Sequence, residues 1–502
     1  MLAIDCNTFF GVRPDQRTDY AVATLAGMMT ESGVAGALTL SLRGVHYDHQ
    51  LGNQETLDVC RRYPQLIPVA TINLARHVGW REDVDWCLTQ GFRAFRFFPA
   101  TQHWSVRDAG FRQLCERLAP AKTPLFFTIA DGNDANEIAE RTADLGLPVV
   151  LLQGAYANES VTIALAQRYP HIHLDVTRRG TPHIVRYLID QCGIDRVLFG
   201  TNAPQNCMQP AMNSVFVADL PAAQTEQILS RNVLCLLNLA RTDLPDGVTE
   251  PVAAEPQYRG YPGPTIDMHA HLGPWRFPIL TRDTETMLDY ARRYNLEKII
   301  ISSALGITYD MGEGNRELKE LIDPHPELLG YVVTNPNFVE ESAAEMDHYY
   351  RYPNFVGAKI HAEYAATPTA APRMAALFAE IAKRGRPVKI HNAGPDWLHA
   401  LRDLARKHPD LPIVLAHGGS FGTPAFIKET PNISLEYCRS SSLRGLIRKG
   451  LETLGPDRLM FGTDQDLFDP GYAFGAYHDA GFTEREAEQV MYSNAKRVFG
   501  LD

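Results

Sequence analysis

The sequence predicts an α/β protein made of two tandem (β/α)8 barrels of the TIM type, and three observations predict it. The chain has 502 residues, more than one hydrophobic core organises well, so two domains of roughly 200–250 residues each are expected. Segments of the first half recur in the second at a nearly constant offset, the signature of duplication. Within each half, short β-branched runs alternate with amphipathic stretches of helical length, the pattern of a parallel sheet wrapped by helices.

The offset is tight. GIDRVLFGTN at 193–202 returns as GPDRLMFGTD at 455–464, 262 residues later, and Asn7 and His269, Pro64 and Pro326, Asn73 and Asn335, and Asn232 and Asn494 keep the same spacing. Thr128 pairs with His391 at 263 and Gln153 with His417 at 264, so the register drifts by two residues over a whole copy. The copies meet in ARTDLPDGVTEPVAAEPQYRGYPGP, residues 240–264, whose five prolines and three glycines read as an extended linker. The expected division is a first barrel over 1–240, a linker over 241–263 and a second barrel over 264–502.

In the second copy the strand runs are TIDMHAHL, KIIISS, LLGYVVTN, VGAKIHA, PVKIHN, PIVLAHG, NISLEY and RLMFGTD. Helix-length segments such as TETMLDYARRYN and RMAALFAEIAKR separate them, which makes eight strands of one barrel. Chemistry in such barrels sits at the carboxyl ends of the strands. There the first strand carries His269 and His271, two apart and so on one side, the fifth His391, the sixth His417 and the eighth Asp464. Imidazoles and a carboxylate converging from equivalent strand ends are what a divalent metal site with an open water position requires.

These motifs, DMHAHLG, GAKIH, PVKIHNAG, LAHGG, LMFGTD and NAKRVFGL, resemble the amidohydrolase superfamily, and within it the amidohydrolase-2 group that includes aminocarboxymuconate-semialdehyde decarboxylase-like enzymes. The resemblance covers Ile266 to Leu501. It implies one divalent metal, most often zinc with manganese or iron as alternatives, held by His269, His271, His391 and Asp464. It also implies that His417 stays off the metal as acid/base or polariser. Such a metal lowers the pKa of bound water, Asp464 accepts the attacking water's proton and passes it to the leaving group, and His417 steadies the developing oxyanion.

Lys359 and His361 on the fourth strand are candidates for substrate contacts or for a second metal, since binuclear relatives bridge two ions with a carboxylated lysine on this strand. Against a carboxylated Lys359, Lys389 repeats the K-x-H pattern. Two inward ammonium groups need partners, for which Asp267 and Glu436 are the candidates. Trp275, Arg276, Glu363, Tyr364, Arg439 and Asp466, just beyond the strand ends, are candidates to line the substrate pocket.

At the matching positions the first copy has Asn7, Phe9, Thr128, Gln153 and Asn202, with Arg96 opposite Lys359 and Phe98 opposite His361. Neutral amides and a phenyl ring do not hold zinc against water. The first barrel is therefore expected to be a degenerate scaffold that packs on the second as the subunits of a family dimer do, with Arg178 or Arg179 reaching towards its pocket. Further homo-oligomerisation is open.

Composition narrows the partners. A net charge of −11 without any Lys/Arg block argues against nucleic acid and anionic membranes, leaving a small-molecule substrate. No leader-like segment and no long apolar run is present, so a cytoplasmic protein is expected. The eight cysteines lack CxxC spacing and read as reduced. The leading functional reading is a metal-dependent hydrolase of a C–N (amide or cyclic amide) or lactone bond in a small anionic molecule. Two alternatives stay open: a metal-dependent non-oxidative decarboxylase of an unsaturated or aromatic carboxylate, and a non-catalytic two-barrel binding protein.

Overall fold

A computed structural model describes residues 1–15, 18–76, 78–153, 156–244, 256–277, 283–438 and 442–501. The chain forms two compact units, Met1–Arg259 and Gly260–Asp502. Part of the expected linker, 245–255, lies outside the described residues. No helix among the described residues is long and apolar enough to cross a membrane.

The strands of the first unit are β1 Ile4–Asp5, β2 Gly36–Thr39, β3 Leu66–Pro68, β4 Phe95–Phe97, β5 Leu125–Ile129, β6 Val149–Gln153, β7 Ile172–Asp175 and β8 Val197–Leu198. Those of the second are β9 Thr265–Leu272, β10 Leu296–Ser303, β11 Leu328–Thr334, β12 Phe355–His361, β13 Val388–His391, β14 Ile413–Leu415, β15 Ile433–Glu436 and β16 Leu459–Met460. In the second unit β9 to β16 pair in sequence order as one eight-stranded parallel sheet. Hydrogen bonds from Met268 N to Phe461 O (3.2 Å) and from Asp464 N to His269 O (2.7 Å) bring its two ends together. The first unit has parallel runs β1–β2–β3 and β4 to β8, joined by parallel bridges Ala70–Phe95 and Thr8–Ala203. Both are (β/α)8 barrels.

Helices cover the outside because their apolar residues recur on one face. In Thr284–Tyr294, Met287, Tyr290, Ala291 and Tyr294 are buried, the Asp283 side chain caps the amino end by accepting from Thr286 N at 2.8 Å, and Asn295 ends the helix at φ 53°. Inside the second barrel Ile266, Met268, Ile300, Leu329, Tyr331, Val356, Val414 and Met460 form the floor, against which Ala495 and Phe499 pack. The matching interior of the first contains Ile4, Cys6, Leu38, Leu40, Ile67, Val69, Phe126, Val150, Leu152 and Leu198.

The duplication extends to contacts that no short motif announces. A Cβ on Gly52 would come within 2.1 Å of Gly44 N, and one on Gly314 equally close to Gly306 N, so both copies use paired glycines where two helices touch. Asn53 brackets Thr71 with two hydrogen bonds of 2.9 Å, as Asn315 brackets Val333 at 3.1 and 2.8 Å.

The most informative repeat closes the barrels. Asp5 Oδ1 accepts from Asn7 N (2.9 Å) and Thr201 N (3.1 Å), and Oδ2 from the Thr201 hydroxyl. Asp267 Oδ1 accepts from His269 N (3.0 Å) and Thr463 N (3.1 Å), and Oδ2 from the Thr463 hydroxyl (2.5 Å). Burial pushes both carboxyl groups up to about 7, partly offset by these same hydrogen bonds.

Asp267 is therefore committed to Thr463, which corrects its expected pairing with a buried lysine. Lys389 instead donates to Met268 O at 3.2 Å and lies over the Tyr331 ring. Arg179 is likewise committed: fully buried, it pairs with Glu159 at 3.1 Å and Thr162 at 3.1 Å inside its own unit, so it is not available to reach outward. All eight cysteines are free.

Because the folded pKa of Asp5 is raised from 3.8 to about 7, the stability it contributes is present below the unfolded pKa and is lost as pH rises through the folded one. Asp5→Asn removes that titration. The denaturation midpoint of the first unit in this variant, relative to wild type, is expected to rise between about pH 4 and about pH 7 and then level off; a pH-independent difference contradicts the assignment.

Candidate metal centre

Strand β9 supplies the centre because its pairing with β10 is irregular, with register shifts between Leu296 and Lys298 and between Ile299 and Ile301. Ile266 and Met268 point into the floor, and the shift then turns His269 and His271 inward above it. Asp464 follows directly on the Thr463 lock, at φ 63°, a conformation that L residues seldom adopt and that here turns the carboxylate back over β9. His417 has φ 65° at the end of β14 and is followed by Gly418 and Gly419, also at positive φ.

His269 Nε2 and His271 Nε2 lie 3.1 Å apart, and Asp464 Oδ1 stands 3.2 Å from the first and 3.1 Å from the second. His269 Nδ1 faces Glu436 Oε2 at 2.6 Å, and His271 Nδ1 faces Ser302 Oγ at 2.9 Å. With Nδ1–H donated outward, each ring presents its Nε2 lone pair to the other and to a carboxylate oxygen. Three lone pairs facing one another repel unless a cation lies between them. Three donors on one tetrahedral zinc ion at about 2.0–2.2 Å are about 3.4 Å apart, close to what is seen. The donor set fits a divalent metal, and Glu436 behind His269 is the carboxylate that fixes the tautomer and orientation of a metal-binding imidazole.

Protonation states agree with that use. Burial and the neighbouring Lys389 and Lys359 push His269 well down, and burial brings His271 to about 4, so both rings are neutral near pH 7. Burial alone would raise Asp464, but the adjacent His271 and His417 imidazoles and the Lys359 ammonium hold it well below the usual carboxylate range. Burial brings Lys359 down to about 8. Its Nζ lies 3.5 Å from His269 Nε2, so it faces the centre without a carboxylate ion pair; Glu436 is taken by His269 rather than by either lysine.

His417 and His391 form the next layer. His417 Nδ1 bonds Cys438 O at 2.9 Å and its Nε2 lies 3.1 Å from His391 Nδ1. His391 stacks on His361 with centroids 4.1 Å apart, and its Nε2 is 3.5 Å from Glu363. His361 Nδ1 accepts from Tyr364 N at 3.4 Å. Potential ligand atoms of His269, His417, Cys438 and Asp464 also lie within 4.8 Å of one another. Burial and the Glu436 and Asp464 carboxylates push the Cys438 thiol up, which keeps it a neutral, weak donor.

An aromatic wall rises from the centre. Trp275 meets His271 edge-on at 5.0 Å and Tyr364 at 5.6 Å, and the Arg276 guanidinium lies 5.4 Å from the Tyr364 ring. Trp275 Nε1 and the Tyr364 hydroxyl are buried donors without a partner. Asp466 is fully buried with neither carboxylate oxygen hydrogen-bonded, and burial together with Asp283 raises it well above its usual range. Arg439 lies outside the described residues.

Sequence reasoning missed Ser302 and Cys438, and took Glu436 for a lysine partner. Ser302 and Glu436 stand at strand ends, the one available signal; a single cysteine among eight offered none.

The profile of a family described as amidohydrolase matches the chain twice, over residues 13–239 and 266–501. No curated protein matches the sequence. Similar solved structures include 2,6-dihydroxybenzoate decarboxylase from Rhizobium, 16% identical with a TM-score of 0.41, covering 48% of this chain and 99% of that one. A dihydroxybenzoic acid decarboxylase from Polaromonas with bound manganese is 15% identical at 0.41, covering 47% and 97%. An amidohydrolase from Burkholderia multivorans with bound zinc is 14% identical at 0.39, covering 48% and 100%.

Glu436→Gln keeps the shape but weakens the hold on His269 Nδ1–H. Competition with a chromogenic zinc chelator is expected to show about 10–100-fold weaker metal binding in this variant; unchanged affinity contradicts the tautomer assignment.

Proposed function

Since the chain belongs to the amidohydrolase family, with both of its halves matching, we propose that the second barrel is a metal-dependent hydrolase of a C–N or lactone bond in a small, planar, anionic molecule. The observation that carries the reading is the convergence of His269 Nε2, His271 Nε2 and Asp464 Oδ1 at 3.1–3.2 Å with the carboxylate kept ionised. A divalent ion held by these residues, with His391 as the further candidate ligand, supplies Lewis acidity towards water and the scissile carbonyl.

The residues around it supply the rest. Asp464 takes a proton from water as the water oxygen bonds to the carbonyl carbon, and returns it to the leaving nitrogen or oxygen as the C–N or C–O bond breaks. His417 donates Nδ1–H to Cys438 O and holds Nε2 towards His391; in this reading a proton on Nε2 as well lets it donate to the charge growing on the carbonyl oxygen. Trp275 and Tyr364 give the cleft a flat aromatic side with two unused donors, and the exposed Arg276 beside Tyr364 suits a substrate carboxylate.

One observation favours a second reading, non-oxidative decarboxylation. The His417–His391 pair shares a single hydrogen bond and can pass a proton to a carbon as that carbon loses CO2. Water labelled with 18O separates the two: hydrolysis puts the label into the new carboxylate of the organic product, whereas decarboxylation leaves the organic product unlabelled, its carbon gaining only a solvent proton as CO2 leaves.

A panel of lactones, cyclic amides and aromatic carboxylates, turned over by zinc- or manganese-loaded enzyme in labelled water, is expected to give labelled product. Asp464→Asn should lower kcat by about 10²-fold or more, and Arg276→Ala should raise KM with little change in kcat. Release of CO2 with an unlabelled organic product overturns the hydrolase reading in favour of the second.

A further inference from the structure

In the first unit an arginine stands at the position of Lys359, the lysine that faces the metal centre in the second. On β4, Phe95 and Phe97 stack together, and Phe97 packs on Trp104 and Phe127, while Arg96 between them turns into the barrel. It is 4% exposed. Its Nη2 donates to Thr128 Oγ1 at 3.1 Å, and its Nε and Nη1 have no hydrogen-bond partner. The guanidinium carbon lies 5.1 Å from the Phe98 ring. Thr128 occupies the position of His391, yet it is exposed where its neighbours on β5 are buried, so solvent reaches the side chain that partners Arg96. Asn7 Oδ1, in the position of His269, is buried without a partner.

A buried guanidinium with unpaired N–H groups is costly unless an acceptor fills the gap. The groups that face it limit what that acceptor can be. Asp175 and Asp5 both act on Arg96 electrostatically, and the Asp175 carboxylate already takes a hydrogen bond from Asn7 Nδ2 at 3.3 Å. Each negative charge on the acceptor is opposed by Asp175, so a monoanion is favoured over a dianion. The Phe98 ring adds an apolar side that an organic anion can use and a hydrated inorganic one cannot.

We propose that the mouth of the first barrel binds a small organic monocarboxylate, with Arg96 as its charge anchor, Thr128 at the rim and Phe98 alongside. None of these side chains activates water, so the site holds its ligand without converting it. The duplicated barrel thus keeps the location of the ancestral site and exchanges its chemistry for binding.

Benzoate is the probe, titrated calorimetrically into the full-length chain carrying Asp464→Asn and Arg276→Ala so that neither the second barrel's centre nor its carboxylate contact contributes. One saturable site per chain is expected. Arg96→Met should weaken it by at least tenfold, and Thr128→Trp, at an exposed position, should block it; near-ultraviolet circular dichroism checks both folds. Absence of saturable binding overturns the proposal, as does benzoate binding that survives Thr128→Trp. Displacement of benzoate by equimolar inorganic phosphate overturns the assignment to a monocarboxylate.

Discussion

Asp267 takes the amide and hydroxyl of Thr463 and the amide of His269, and through these three bonds the first and last strands of an eight-stranded sheet meet in one register. The metal centre depends on that closure, because His269 lies two residues after Asp267 and Asp464 one residue after Thr463. The positive φ at Asp464 and its amide bond to His269 O complete the turn that sets a carboxylate beside two imidazoles. Buried hydrogen bonds of this kind contribute on the order of 1 kcal/mol each, and leaving one group unpaired costs about 1–3. The larger effect is positional: a closure slipped by one residue would send Asp464 out of the barrel.

The first unit uses the same closure without the centre. Asp5 and Thr201 repeat the lock, Asn202 repeats the positive φ of Asp464 at 63°, and Asp175 approaches Asn7 as Glu436 approaches His269. What differs is the set of atoms aimed at the centre. An amide stands for the first imidazole, a phenyl ring for the second, and an arginine for the lysine behind them. The support behind the ligands has outlasted the ligands, as expected if the lock serves the fold and the histidines serve chemistry.

Much of this was legible in the sequence because it is periodic. The constant offset exposed the duplication, and strand-end spacing brought out His269, His271, His391, His417 and Asp464 together. The parts that were not legible depend on contacts between distant residues. Glu436 meets His269 across 167 positions, and a lone Cys438 carries no spacing signal. RLMFGTD reads as one long strand, yet β16 is only Leu459–Met460, since the residues beyond it leave the ladder to make the closing bonds with β9. The equivalent strand of the first unit, β1, is only Ile4–Asp5, and beyond it Thr8 and Phe10 join their neighbours by isolated bridges to Ala203 and Ser41. The buried lysines were located by parity, but parity says nothing of partners, and Lys389 found a backbone carbonyl where a carboxylate was expected.

The two barrels share a frame, and only the second keeps the donors of a metal centre. Anomalous diffraction at the zinc or manganese edge, on crystals of the full chain grown without chelator, tests it most directly. One strong peak per chain is expected, within bonding distance of His269 Nε2, His271 Nε2 and Asp464 Oδ1, and none beside Asn7. A peak in the mouth of the first barrel, or none in the second, would contradict it.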